Sequence, residues 1–188
     1  MRIGFSGWIL YGAIILLILL LVTMKISFKK SLPYLLFFSI MYIYLCFVID
    51  YTQFPIYTTE NLRIAFGPLL WHSINLIPFK GFAFKTSLLN VLLTIPFGFG
   101  LSFVYKTNLK RIAVASILIG VIIELLQLII GIIDGFMLRV VDINDVIFNF
   151  IGSLIGYVIF LILLKVFKVI INKNKIQLNS LLKYIYNS

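Results

Sequence analysis

Five apolar runs, at about residues 7–24, 32–49, 88–105, 112–130 and 146–167, decide what this chain folds into. Each holds about 18–22 residues, close to the ~20 helical residues that cross ~30 Å of hydrocarbon. Backbone polar groups in lipid must be satisfied within the chain, so runs of this length are expected to be helices. Of the 188 residues, 62% are hydrophobic and only 12% charged. A soluble domain of this size cannot cover itself with so little polar surface. The expected fold class is all-α, a polytopic transmembrane helix bundle of about five spans. The first run is longer than a signal-peptide core, follows only Arg2, and lacks a small-x-small cleavage site, so it is read as a retained span.

Lys and Arg placement sets the expected orientation. Eleven of the 16 basic residues fall at one face: Lys25, Lys29 and Lys30; Lys106, Lys110 and Arg111; Lys165, Lys168, Lys173, Lys175 and Lys183. Arg2, Arg63, Lys80, Lys85 and Arg139 fall at the other. The first face is therefore expected to be cytoplasmic, with the N-terminus outside and the C-terminus inside. The net charge of +10 calls for no nucleic acid, because a basic tail beside a span is attracted to anionic lipid. Membrane lipids are the expected partners of a multi-pass protein of this kind. With one histidine and one cysteine the chain offers no usual zinc set. No P-loop or G-x-S-x-G occurs either, and neither metal nor cofactor is expected. Cys46 reads as a small residue within the second span.

Residues 1–50 form an expected N-terminal hairpin of two spans with few polar groups. Residues 51–87 are too apolar for a solvated loop and are broken by Gly67, Pro68 and Pro78. They suit an outer interfacial or re-entrant segment, with Trp71 in an aromatic belt and His72 as an interfacial hydrogen-bonder. Residues 168–188 form a basic cytoplasmic tail in which Ile176, Leu178, Leu181, Leu182 and Ile185 could line a short interfacial helix.

The last three spans differ from the first two. At ~100° per residue, each gathers its small and polar residues on one narrow face. These are Ser87, Asn90, Thr94 and Gly98; then Ser116, Gly120, Glu124, Gln127 and Gly131; then Asp145, Asn149, Gly152 and Gly156. Small residues let membrane helices approach, and polar ones hydrogen-bond across the contact. The three faces are expected to converge on a polar seam open to the outside.

An ionisable group inside a span is a functional-site hypothesis by default. Glu124 is a candidate general acid/base or ligand site, or else a structural clasp with Gln127, Asn149 or Arg139. Arg139 is either an anion-capturing fork or the counter-ion of Glu124. Asp142 and Asp145 read most simply as N-cap and first-turn acid of the last span, with a divalent-cation pair as the competing reading. Pro96 and Gly98 should bend or break the third span near Asn90.

Five phrases in order carry a resemblance: Asn75-Leu-Ile-Pro78-Phe79, Asn90 with Pro96-Phe97-Gly98, Glu124-Leu-Leu-Gln127, Arg139-x-x-Asp142-x-x-Asp145, and Asn149-x-x-Gly152. Over about residues 71–167 the chain resembles the VanZ-like family of bacterial membrane proteins, which places a three-span core there. The resemblance implies a multi-pass protein of the bacterial cytoplasmic membrane, in a cell-envelope setting and associated with low-level tolerance of the glycopeptide teicoplanin. It carries over no catalytic residue. The expected function is an outward polar site built from Asn90, Glu124, Gln127, Arg139, Asp142, Asp145 and Asn149. Its ligand would be a lipid-linked cell-wall intermediate or a lipoglycopeptide. The competing readings are an intramembrane enzyme on a lipid phosphate, a small carrier, and a non-catalytic subunit of an envelope protein partner.

Overall fold

The computed structural model describes residues 2–57, 62, 64, 65 and 73–188. The readings placed on Trp71, His72, Gly67 and Pro68 lie outside the described residues. Among the described residues, five helices have the length and apolarity to cross a membrane: α1 (Trp8–Ile26), α2 (Leu32–Gln53), α3 (Phe84–Val104), α4 (Leu109–Asp134) and α5 (Ile143–Lys173). A short α6 (Ser180–Tyr186) follows. The chain is a multi-pass helical membrane protein. Most of its large apolar side chains face outward, Trp8 and Leu19 of α1 among them, as a bundle surrounded by lipid rather than water requires.

Local chemistry sets the helix ends. Ser31, Asn108 and Asn179 cap α2, α4 and α6 by accepting from Tyr34 N, Arg111 N and Leu182 N. Gly135 ends α4 at φ 77°, a left-handed conformation that glycine adopts without steric cost. The expected break at Pro96 does not occur: α3 runs through it as one helix. Proline removes the donor that would bond the Leu92 carbonyl. The Tyr44 hydroxyl donates to the neighbouring Leu93 carbonyl at 2.6 Å, tying the same turn to α2.

The expected small-residue faces meet. The α3–α5 contact is so close that a Cβ on Gly98 would lie 1.8 Å from the Ser153 carbonyl oxygen. One on Gly156 would lie 2.0 Å from the Ile95 carbonyl oxygen. Contacts ascend together along both helices (Val91 with Gly152, Ile95 with Gly156, Phe99 with Phe160), so α3 and α5 run parallel, with α4 returning between them in sequence. Thr94 Oγ1 crosses the contact to the Asn149 carbonyl at 2.8 Å. Ile112, Tyr157 and Phe160 form a buried apolar cluster nearer the lysine-rich end. By contrast α1 buries no residue and is tied to α2 by a bond from Tyr42 Oη to Ala13 O at 2.8 Å.

Two small strand pairs close the opposite end. β1 (Arg2–Ile3) pairs antiparallel with β2 (Ile56–Tyr57), and β3 (Ile74–Asn75) pairs parallel with β4 (Val141–Asp142). The second pair sets Asn75 opposite Asp142, and the polar site is built around that register.

Candidate functional site

The site grows from the turn into α5. Asp142 is the N-cap, with Oδ1 accepting from Asn144 N at 2.8 Å, and Asp145 lies in the first turn. Both positions favour negative charge at a helix N-terminus. The same Oδ1 accepts from Asn75 Nδ2 at 2.9 Å. The capping reading of Asp142 therefore holds, and the cap also binds the neighbouring strand.

Asn75 and Asn144 together fold the 77–80 turn. The Lys80 carbonyl accepts from Asn75 Nδ2 at 2.9 Å and from Asn144 Nδ2 at 3.0 Å. Phe79 N donates to Asn144 Oδ1 at 2.6 Å, and Ile77 N to Asn75 Oδ1 at 3.2 Å. Phe79 sits at φ 63°, a left-handed conformation costing a non-glycine residue about 1–2 kcal/mol. Two asparagine side chains hold it there. The phrase Asn75-x-x-Pro78-Phe79 is thus a turn specification.

Glu124 is buried, and its Oε2 accepts from Asp142 N at 2.8 Å. The expected Glu124–Arg139 pair is not what forms. Arg139 turns to the end of α2, donating from Nη1 to Tyr51 O at 3.1 Å and from Nη2 to Phe54 O at 2.9 Å. Carbonyls at a helix C-terminus carry partial negative charge and lack intrahelical donors, so they compete well for a guanidinium. Burial among them pulls the Arg139 pKa below its ordinary value, with Tyr51 opposing the shift. Glu124 meets its need through a backbone N–H instead.

Beside these groups lies a cavity of about 350 Å³, walled by the ends of α2, α3, α4 and α5. Asn90, Gln127, Arg139, Asp142 and Asp145 line it, as does Asn144. Five of the seven expected site residues therefore share one wall. The other two lie away from it: Glu124 is sealed beneath the Asp142 backbone, and Asn149 is packed deep beside α3. Gln127 Nε2 reaches Thr52 O at 3.4 Å, and Gln53 Nε2 reaches Ile123 O at 3.3 Å, so α2 closes the side. Among the described residues, the buried acceptors Gln53 Oε1, Glu124 Oε1, Gln127 Oε1 and Asn149 Oδ1 find no partner, while the Asn90 side chain bonds Asp145. Native interiors leave few such atoms, and each needs an explanation.

Asn144, Asn75, Thr52 and Gln53 were missing from the expected site. Asn144 stands between two aspartates at the start of an apolar helix, and Asn75 stands three residues before Pro78. Those placements were visible signals. The contribution of Thr52 and Gln53 was not, because both fall in the 51–87 stretch expected to be an interfacial or re-entrant segment, whereas α2 runs on through Gln53.

The comparisons agree with this enlarged core. No curated protein and no solved structure matches the chain. The VanZ/LLP1 family model matches residues 34–165, so the family region begins in α2, earlier than the resemblance over 71–167 placed it. That match covers most of the 188 residues, and it places the chain in the VanZ/LLP1 family.

Proposed function

We propose that the protein binds the polar part of an amphiphile at the outer face of the bacterial cytoplasmic membrane, with its N-terminus outside and its C-terminus in the cytoplasm. The observation that carries this reading is the cavity between four helix ends, lined by Asn90, Asp145 and Gln127, whose buried Oε1 has no partner among the described residues. Its volume of about 350 Å³ lies within the roughly 300–1,000 Å³ of small-ligand pockets.

The wall chemistry narrows the ligand. Asp142, Asp145 and Gln127 present acceptors, and Asn90 adds an amide beside Asp145. Arg139, the one cation among the described lining residues, already serves two carbonyls. Hydroxyl- and amine-bearing headgroups meet that demand better than a bare phosphate. The saccharide of a lipid-linked cell-wall intermediate or of a lipoglycopeptide fits it, and family membership supports teicoplanin tolerance as the phenotype. The sealed position of Glu124 favours binding over acid–base catalysis, since a general base must reach the proton it takes.

Teicoplanin susceptibility of cells carrying Asn90→Ala or Asp145→Asn tests the reading. Loss of tolerance at normal membrane levels is expected. Unchanged tolerance in both normally expressed variants overturns the assignment to glycopeptides.

A further inference from the structure

The lysine-rich end holds a second cavity, of about 440 Å³, that the site above does not use. Three separate pieces of chain wall it: the α1–α2 turn with Lys30, the α3–α4 turn with Lys106, and α6 with Lys183. No Asp or Glu is among its described lining residues. Asp142 and Asp145 line the other cavity, and Asp50 and Asp134 are near the helix ends that surround it. Three lysines from separate elements thus line it with no acidic partner among the described residues.

The geometry is built rather than loose. Tyr184 of α6 donates its hydroxyl to the Phe103 carbonyl at the end of α3. Its ring stacks on Phe37 of α2 at 5.6 Å, and Phe37 stacks on Phe103 at 4.3 Å. Lys183 is therefore presented by a docked helix, not a free tail. Lys30 Nζ lies 4.6 Å over the Tyr34 ring. Arg111 Nη1 donates to the Lys106 carbonyl at 2.7 Å, holding that turn and adding a fourth cation nearby. Ser31, Ser180 and Asn187 supply neutral polar groups to the lining.

Basic pockets between transmembrane helices suit phosphate-bearing lipid headgroups, and lysine binds phosphate as a point charge. We infer that this cavity is a phosphate-anion site, taking the headgroup of an anionic phospholipid between Lys30, Lys106 and Lys183. It is separate from the polar site at the other end and does not depend on that site's ligand.

The test is native mass spectrometry of the purified full chain after exchange into phosphatidylcholine vesicles containing phosphatidylglycerol. One phosphatidylglycerol per chain is expected to remain on wild type. The triple variant Lys30→Gln/Lys106→Gln/Lys183→Gln should lose it at least tenfold. The control triple Lys165→Gln/Lys173→Gln/Lys175→Gln removes equal charge and should keep it. If the first triple does not fold, Lys183→Glu alone carries the test, because that side chain is exposed. Displacement by millimolar inorganic phosphate supports recognition of the phosphate alone, and retention against it supports recognition of the whole lipid. Equal loss in both triples, or no loss in either the first triple or Lys183→Glu, overturns the site.

Discussion

At the scale of single residues, the family phrases divide by what each side chain touches. Asn75, Asp142 and Asn144 build the 77–80 turn and the start of α5, while Asn90, Gln127 and Asp145 present polar groups to the cavity. Asn144→Ala removes two part-buried hydrogen bonds, one from Phe79 N to Oδ1 and one from Nδ2 to Lys80 O. At about 1–1.5 kcal/mol each, it should destabilise the protein by roughly 2–3 kcal/mol in denaturant unfolding in detergent. Asp142→Asn keeps an oxygen at the cap, and Asn is as good an N-cap as Asp. It should unfold within about 0.5 kcal/mol of wild type, a typical bound for changes that break no buried contact. A large loss would mean that the charge itself has a structural role. Asp142 as cap was legible from its place before an apolar run. The choice of Arg139 was not, because carbonyls exposed at the end of α2 are a tertiary fact that no periodicity records.

At the scale of elements, the α3–α5 contact rests on glycines at helical spacing, and that much the sequence displays directly. Gly156→Ala would set a Cβ 2.0 Å from the Ile95 carbonyl oxygen. Backbone cannot yield cheaply, so overpacking should cost about 1–3 kcal/mol or more, visible as a lowered melting temperature. Gly12→Ala in α1 meets nothing within 4 Å. It should be neutral or slightly stabilising, since alanine outranks glycine in a helix. Equal effects of the two changes would contradict the packing described. The helix lengths ran beyond the apolar runs because hydrophobicity marks lipid contact and hydrogen bonding marks the helix. α5 continues past residue 167 to Lys173, into water-facing lysines, for that reason. The role of α2 was hidden likewise: its polar residues, Thr52 and Gln53, lie just past the apolar stretch that identified the span.

At the scale of the whole molecule, the lysine distribution predicts an orientation that intact cells can report. In a Cys46→Ser background, Ser6→Cys should react with a membrane-impermeant maleimide and Ser188→Cys should react only after lysis. The reverse pattern would turn the polar cavity toward the cytoplasm and end the reading of an envelope ligand. The central claim is that the cavity between α2, α3, α4 and α5 holds the headgroup of an amphiphile. Mass spectrometry of the protein purified natively from its own membrane tests it most directly. Wild type should carry a hydroxyl- or amine-rich amphiphile that is lost from a folded Gln127→Leu variant and kept by Gly12→Ala. The same bound species on all three proteins, or none on wild type, would contradict the account.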